Sequence, residues 1–337
     1  MIGMVPITAV IGCIGIAVYG ILFGLVLQGV DRKCAARMQA RYGPPLHQPF
    51  IDIAKLFCKD NIIPKNAVTS VFNAAPVIAL AASVTILLYL PIGSIAPVLG
   101  GWGDIILVLY LLTVPGLAMV AGGLASGSPY ATVGSQREMV TMIAYEMPLA
   151  IAVIAIAWRL YAAGVTDPFS LVTIAQTPVW SIVGIPGIIG MLLLMVAMAW
   201  VTPAELSRVP CDTPEAETEL CGGILVEYSG KNLALFTLSG AVKTVAMATL
   251  AVVLFLPWNI TWFVPLAGAA GIIADLVFFA VKVLLVVFFS VSLIRVGMAR
   301  FRINHLVTFY WGYITLIGFA GMILLVLDAM LGMGVVA

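Results

Sequence analysis

Residues 203–231 read PAELSRVPCDTPEAETELCGGILVEYSGK, and long runs of Leu, Val, Met and Ala lie on both sides of this stretch. It holds six of the chain's 15 acidic residues, although only 9% of the 337 residues are charged. The six acids are Glu205, Asp212, Glu215, Glu217, Glu219 and Glu227. A dense acidic stretch between apolar runs is either a solvated loop or a site that handles protons or cations.

The composition of the whole chain indicates a membrane protein. The chain is 63% hydrophobic and has a mean hydropathy of +1.16, whereas soluble domains contain roughly 25% charged residues. It has no basic stripe and no zinc-ligand spacing, so we expect no nucleic-acid partner. The five cysteines form no CxxC pair, so we expect free thiols and neither a metal nor an iron–sulfur cluster in this chain.

Eight apolar runs are long enough to cross a bilayer, which requires about 20 residues in a helix. We therefore predict an all-α integral membrane protein with a single transmembrane domain over residues 1–337. The predicted spans are 4–29, 71–92, 104–125, 138–161, 180–201, 232–256, 268–294 and 306–330. The connections 48–59 and 202–231 are predicted to be a surface amphipathic helix and an acidic cytoplasmic segment.

The distribution of basic residues predicts the orientation of the spans. Thirteen of the 16 Lys and Arg residues lie in four connections, at 30–70, 126–137, 202–231 and 295–305. Basic connections stay in the cytoplasm during membrane insertion. We therefore expect the basic and acidic connections to be cytoplasmic and both termini to lie outside.

The connection after the first span has a helical pattern of its own. Its apolar side chains fall at helical spacing, at Phe50, Ile53, Ala54 and Phe57. Its charged side chains fall on the opposing face, at Asp52, Lys55 and Lys59. This pattern predicts a short amphipathic helix that lies on the membrane surface or against a partner.

Several ionisable residues lie inside the predicted spans, where a charge is expensive and is usually functional or paired. They are Glu138, Glu146, Lys243, Asp275 and Lys282. One interpretation is a set of structural ion pairs, and the other is a connected path of groups that pass protons. Asp104 and Asp328 lie near predicted span ends, and we expect both to be solvated.

The acidic stretch allows the same two interpretations. If it is helical, Asp212, Glu215 and Glu219 share one face, and crowded carboxylates of this kind repel one another. At least one of them should then keep its proton to an unusually high pH. The alternative is a solvated loop that docks a basic partner.

Three motifs carry a family resemblance: ARMQARYGPP (36–45), YEMPL (145–149) and ELSRVPCDTPEAETELCGGILVEYSG (205–230). They resemble the family of the membrane-embedded H subunit (also numbered 1) of respiratory complex I. They resemble more closely its relatives in energy-converting [NiFe] hydrogenases of the Ech and formate hydrogenlyase types. The turn GPPLHQP (43–49) is shorter than the turn usual in complex I and resembles that of the hydrogenase branch.

The resemblance implies a membrane anchor that couples ion translocation to electron transfer in a ferredoxin-linked, hydrogen-evolving hydrogenase of a prokaryotic cell membrane. The expected partners are the large and small hydrogenase subunits, an antiporter-like membrane subunit, other small membrane subunits and lipid. The nickel–iron centre and the iron–sulfur clusters are expected in those partners, so this chain would hold no catalytic residue and no cofactor.

The resemblance also assigns roles to residues of this chain. The expected proton path comprises Glu205, Asp212, Glu215, Glu217, Glu219, Glu227, Glu138, Glu146, Lys243, Asp275 and Lys282. The residues expected to dock the soluble arm are Arg37, Arg41, Asp52 and Lys55.

Three other functions stay open at this point. The chain could form a quinone or methanophenazine site as the H subunit of a complex I-like dehydrogenase. It could be a self-sufficient transporter, although it shows no internal repeat of the kind that transporters often carry. It could also be a scaffold whose acids only dock partners. The sequence does not distinguish H⁺ from Na⁺ as the translocated ion.

Overall fold

The computed structural model describes residues 7–264 and 268–332, with side chains from residue 10 onward. Within these residues eight helices are long and apolar enough to cross a membrane. The prediction of an all-α protein with eight spans is thereby confirmed. The α-helices are α1 (Ile7–Met38), α2 (Gln48–Cys58), α3 (Thr69–Tyr89), α4 (Ile105–Ala125), α5 (Pro129–Ala162), α6 (Leu171–Gln176), α7 (Ile185–Glu205), α8 (Glu217–Leu220), α9 (Gly230–Phe255), α10 (Ala269–Val287), α11 (Leu293–Gly297), α12 (Ile303–Thr308) and α13 (Thr315–Met330).

Two spanning segments contain a π-helical turn. Phe288–Ser292 joins α10 to α11, and Phe309–Ile314 joins α12 to α13. Each pair of α-helices therefore continues as one span, over Ala269–Gly297 and over Ile303–Met330.

Two helices extend nine residues beyond their predicted spans. α1 ends at Met38 rather than at 29, so Arg32 and Arg37 belong to a helix and not to a loop. α5 begins at Pro129 rather than at 138, and proline suits the first turn of a helix because no intrahelical N–H donor is needed there. Hydropathy locates the part of a helix that lies in lipid and not the polar turns that continue beyond it. Residues 4–6 of the first predicted span lie outside the described residues.

Helix α9 forms the centre of the bundle. Nearly all its side chains are buried, and α1, α2, α3, α7 and α10 pack around it. Its contact with α1 depends on Gly24, because a Cβ atom there would lie 2.5 Å from the carbonyl oxygen of Ala241. Small residues allow membrane helices to approach in this way. We call the end where α9 begins the charged end of the bundle, and the end where α9 terminates the opposite end.

Helices α7 and α13 also pack closely, through one glycine on each helix. A Cβ atom at Gly190 would lie 2.7 Å from the oxygen of Gly321, and a Cβ atom at Gly321 would lie 2.9 Å from the oxygen of Gly190. The two backbones therefore touch in the first half of α7, and α5 packs against both helices.

The short helix α2 lies against α1 and α9 at the charged end. Ile53 is buried and packs with Leu25 and Leu238. Two other residues of the predicted apolar face, Ala54 and Phe57, are exposed. The helix rests on a narrow contact centred on Ile53, so only part of its apolar stripe is covered.

The acidic segment between α7 and α9 is not one helix. It folds into a 3₁₀ turn at Thr213–Glu215, the single turn α8, and a second 3₁₀ turn at Gly223–Leu225. These turns pack against α5. Gly223 has a φ of +54°, which favours glycine. A Cβ atom at this position would also lie 1.8 Å from the carbonyl oxygen of Pro214, so the fold of the segment requires glycine here.

Candidate functional site

A cavity of about 180 Å³ lies at the charged end, between the transmembrane helices and the acidic segment. It has room for several water molecules. Six of its lining residues carry ionisable side chains: Arg32, Glu138, Glu205, Arg208, Glu215 and Lys243. The cavity thus brings together three predicted acids and the predicted lysine from α5, α7, α9 and the acidic segment.

Glu205 and Lys243 form the innermost pair of this cavity. The Lys243 ammonium nitrogen lies 2.8 Å from Oε1 of Glu205, and both side chains are buried. Beyond this ammonium group, no other donor reaches Oε1 among the described residues. Lys243 lies about 20 Å from the start of α9 at 1.5 Å per residue, so the pair is deep in the membrane-spanning part of the bundle.

Glu138 is the second buried carboxyl group and is only 2% exposed. It projects from α5 towards α4, where a Cβ atom at Gly116 would lie 3.6 Å from its Oε1 atom. It is within electrostatic range of Lys243, Glu205 and Glu215. The Glu138 carboxyl group therefore faces the backbone of α4 at Gly116 inside the cavity.

Glu215 and Arg208 line the cavity from the acidic segment. Burial raises the pKa of the Glu215 carboxyl, the Arg208 cation opposes that rise, and Asp212 adds to it. Burial likewise lowers the pKa of Arg208, against the nearby carboxylates of Asp31 and Glu215. Among the described residues Arg208 has no carboxylate within ion-pair distance. Burial thus favours the protonated form of the Glu215 carboxyl group. The neighbouring Arg208 cation has no carboxylate of the described residues in direct contact with it.

Two other acids of the segment are anchors. Arg300 binds Asp212 through two hydrogen bonds, with Nε 2.8 Å from Oδ1 and Nη2 2.6 Å from Oδ2. This contact raises the pKa of Arg300. Arg137 on α5 pairs with Glu219. The expectation that Asp212, Glu215 and Glu219 share a helical face is therefore wrong, because two of the three turn outward to arginines from distant parts of the chain.

The remaining acids of the segment do not line the cavity. Glu217 is exposed on α8, and Glu227 is half-buried in the turn before α9. The acidic motif therefore contains three different environments: a cavity, two ion pairs and a surface.

Glu146 lies about 12 Å along α5 from Glu138 at 1.5 Å per residue. It is half-buried, whereas its neighbours Ile143 and Met147 are exposed on the outer surface of the bundle. It is also within electrostatic range of Glu205. Glu146 thus connects the buried cluster with the membrane-facing surface.

Hydrogen bonds that the sequence does not indicate join each π-helical span to another part of the chain. Tyr310, in the second π-helical turn, donates a hydrogen bond to the carbonyl of Trp200 (2.7 Å), and the Cys211 thiol lies 3.1 Å from its hydroxyl oxygen. Burial raises the pKa of Cys211 to about 12, so the thiol stays protonated and donates to the tyrosine. Beside the first π-helical turn, Ser292 donates to Asp31 (2.6 Å), as does Arg295 (2.8 Å).

Asp275 and Lys282 lie at the opposite end and not in the cavity. Asp275 accepts hydrogen bonds from the backbone N–H (3.0 Å) and the hydroxyl (2.9 Å) of Thr261. Lys282 donates to the carbonyls of Leu256 (2.8 Å) and Trp258 (2.7 Å). Both side chains close the end of α9, about 20 Å along that helix from Lys243.

Asp328 also lies at the opposite end, where it is fully buried. The expectation that it is solvated is wrong. It pairs with Arg159 at 3.0 Å and accepts hydrogen bonds from the backbone N–H groups of Gly184 and Gly187, at the start of α7. A carboxylate of another helix therefore binds the free N–H groups at the N-terminus of α7.

The docking residues divide into two groups. Arg37, Arg41 and Lys55 are exposed at the charged end. Asp52 instead binds Arg32 of α1 at 2.9 Å, and hydrogen bonds from Arg32 and Gln48 lower its pKa. Asp52 therefore joins α2 to α1 while its side chain stays 38% exposed.

Within the described residues, no three His, Cys, Asp or Glu side chains lie close enough together to hold a metal ion. The chemistry that the cavity can support is proton exchange among carboxyl groups, water and a lysine.

Comparison with known proteins agrees with this picture. A model of the NADH dehydrogenase family matches residues 11–326. The H subunit of the NADH-quinone oxidoreductase of Anoxybacillus flavithermus is 37% identical over 317 residues, which cover 90% of this chain and 89% of that protein. The same subunit from Brevibacillus brevis is 34% identical over 308 residues, covering 88% of this chain and 84% of that protein.

A solved structure shares the whole fold. It is a chain of the membrane-bound sulfane sulfur reductase, an archaeal respiratory membrane complex, with a TM-score of 0.81 and 29% identity. The match covers 94% of this chain and 99% of that chain. The eight spans, the family match and these relatives lead to one conclusion: this chain belongs to the NADH dehydrogenase family as an H-type membrane subunit of a prokaryotic, complex I-like respiratory complex.

Proposed function

We propose that this chain couples electron transfer in a soluble arm of its complex to proton translocation in the membrane. The observation that carries the proposal is the cavity at the charged end. Three carboxyl groups and a lysine meet there, and among the described residues that lysine is the one donor beside Oε1 of the innermost carboxylate. Groups arranged in this way change their protonation when a nearby charge changes.

The path begins at Glu215, which belongs to the segment nearest the docking surface. It continues through Glu138 and the pair of Glu205 and Lys243, and it ends at Glu146. Water in the cavity supplies the intermediate steps between carboxyl groups that are not in direct contact. Because Glu146 reaches the outer surface of α5, we propose that a neighbouring membrane subunit receives the proton there.

The orientation follows from the basic residues. The charged end carries most of the Lys and Arg of the chain, and we propose that it faces the cytoplasm. Exposed Arg37, Arg41 and Lys55 then dock the soluble arm. Arg300 and Arg137 hold the acidic segment between that arm and the cavity.

The test uses the intact complex reconstituted in vesicles. Glu138→Gln should leave electron transfer near the wild-type rate and abolish ion pumping, because an amide cannot release a proton. The matched control is Asp104→Asn, which removes an exposed carboxyl group at the opposite end and should leave both activities unchanged. Normal pumping by the Glu138→Gln complex would count against the path.

The electron acceptor of the complex is a separate proposal. The relatives are named NADH-quinone oxidoreductase, and the cavity offers Gln28, Ser207 and Arg208 as donors beside the apolar side chains of Met119 and Phe236. These groups support binding of a quinone or phenazine head group between this chain and its soluble partner. Reduction of a short-chain quinone, lost in Gln28→Leu but retained in Asp104→Asn, is the expected result.

A hydrogenase identity is the second candidate, supported by the shortened turn at 43–49. It requires a nickel–iron centre and iron–sulfur clusters in the soluble partners and a ferredoxin as electron donor. Metal analysis of the purified complex separates the two. Nickel with ferredoxin-driven hydrogen evolution selects the hydrogenase, and quinone reduction without nickel selects the dehydrogenase.

A further inference from the structure

We infer that Lys243 determines which cation the cavity accepts: its ammonium group occupies the position that a bound Na⁺ would need beside Glu205, so that the cavity passes protons and excludes Na⁺. The inference rests on the proposed function, because it names the ion that the same cavity handles. It is carried by the position of the Lys243 ammonium group beside Glu205 and by the small number of carboxylate ligands that the described residues offer a cation there.

The ammonium group is fixed in this position. Its nitrogen lies 2.8 Å from Glu205 Oε1, and the side chains of Lys243 and Glu205 are 9% and 1% exposed. Lys243 projects from the central helix, which is enclosed by other helices along nearly its whole length. A second cation could contact Oε1 of Glu205 only by displacing the Lys243 ammonium group from it.

The number of available ligands also disfavours Na⁺. A hard cation needs several oxygen ligands at once. The described carboxylates contribute no cluster of three ligands. A dehydrated Na⁺ would therefore lack a complete ligand shell, whereas a proton needs only one carboxylate oxygen.

The other charges facing Lys243 add to the exclusion. Helix α5 contributes Glu138 and Glu146, the acidic segment contributes Glu215 and Arg208, and α1 contributes Arg32. The cavity thus contains three cationic side chains for its three carboxyl groups, so the carboxylates are already balanced and leave no net negative charge to attract a further cation.

Removal of the ammonium group should reverse the selectivity. In Lys243→Met the carboxylates of Glu205 and Glu138 face a vacated space without a counter-ion. Na⁺ can then bind between these two carboxylates with water as its remaining ligands. Lys243→Arg is the matched control, because it keeps the positive charge in the cavity.

The experiment measures the modification of Glu138 and Glu205 by a hydrophobic carbodiimide, which reacts with protonated carboxyl groups. The intact complex is treated in NaCl or in choline chloride at equal ionic strength, and the adducts are quantified by mass spectrometry. Wild-type and Lys243→Arg complexes should be modified equally in both salts. In Lys243→Met, Na⁺ should reduce the modification about tenfold when it is present at ten times its dissociation constant.

Two results would overturn the inference. Protection of the wild-type complex by Na⁺ shows that the cavity binds Na⁺ in spite of the lysine. Absence of protection in Lys243→Met shows that another feature excludes Na⁺. Lys243→Gln is the second variant if the methionine variant fails to assemble, which subunit composition and electron-transfer rate will show. Because the readout is chemical modification, its failure is distinguishable from loss of pumping in Glu138→Gln.

Discussion

Both ends of the bundle bury charged side chains, but the number of hydrogen-bond partners that these side chains have differs between the two ends. At the opposite end, Asp328 binds an arginine and two backbone N–H groups, and Lys282 binds two backbone carbonyls. At the charged end, Oε1 of Glu205 contacts the ammonium group of Lys243 and no other donor within the described chain. Depth in the membrane is therefore a poor indicator of function, and the number of hydrogen bonds that a charged group makes is a better one.

The difference has a physical basis. A buried charge that is fully hydrogen-bonded is held in one protonation state, because a change in its charge leaves its partners unsatisfied. A buried charge with few partners and water nearby changes state at lower cost. Arg159 shows the limit of the rule, since its Nε and Nη1 atoms have no acceptor among the described residues and Asp328 alone neutralises it.

The largest effect is expected from Asp328→Ala, which removes the carboxylate that pairs with Arg159 at the opposite end. It leaves the Arg159 guanidinium buried without a counter-charge, a loss of about 3–5 kcal/mol in the free energy of unfolding. The level of assembled complex and its thermal midpoint measure this loss. Asp328→Asn keeps an acceptor for the N–H groups of α7 and should lose less. A wild-type midpoint for Asp328→Ala would remove the structural role assigned to this pair.

A smaller loss is expected from Arg300→Met, which releases the acidic segment. Two hydrogen bonds to the Asp212 carboxylate disappear, at a cost of about 2 kcal/mol. The loss is local, so amide hydrogen exchange should rise across residues 206–229 while the spans stay protected. Lys231→Met, at the start of α9, is the control. Unchanged exchange in Arg300→Met would show that the segment is held by its packing on α5 alone.

A change in the pKa of Glu215 tests the electrostatics of the charged end. Burial raises the pKa of Glu215 and Arg208 opposes that rise, so Arg208→Gln leaves burial unopposed and raises the pKa further. Glu215 then keeps its proton to a higher pH, and the pH dependence of ions pumped per electron should move upward. The double variant with Glu215→Gln should lose the shift. A downward shift in Arg208→Gln would contradict the assigned electrostatics.

The smallest effect is expected from Glu217→Gln. Glu217 belongs to the same acidic motif, but it is exposed and lies outside the cavity. We expect stability within about 0.5 kcal/mol of the wild type and an unchanged pumping ratio in vesicles. Loss of pumping would place Glu217 on the path and would weaken the distinction between cavity acids and surface acids.

The spans and the class of the protein could be predicted because hydropathy is a local property of the sequence. Glu138 and Lys243 could be singled out for the same reason, since each is an ionisable residue in an apolar run, whereas Glu205 was singled out as a member of the acidic stretch. Their pairing could not, because it depends on how α5, α7 and α9 pack. The family resemblance supplied the role of the acidic motif but did not separate its members.

The errors have the same origin. Asp212 and Glu219 turn away from Glu215 because Arg300 and Arg137, which lie far away in sequence, bind them. Asp328 was expected in solvent because it is near the end of its span, yet the start of α7 provides the N–H groups that bury it. Each error concerns a partner that only the tertiary structure brings near.

The enclosure of α9 has a consequence for the biogenesis of the protein. A lysine at the centre of a helix opposes insertion into the bilayer by about 3 kcal/mol. Glu205 on α7 is synthesised before Lys243, so the carboxylate is already in the membrane when α9 leaves the translocon. Helix α10, which packs against α9, is synthesised afterwards and completes the enclosure. The order of synthesis thus makes the Glu205 carboxylate available to pair with Lys243 while α9 enters the membrane.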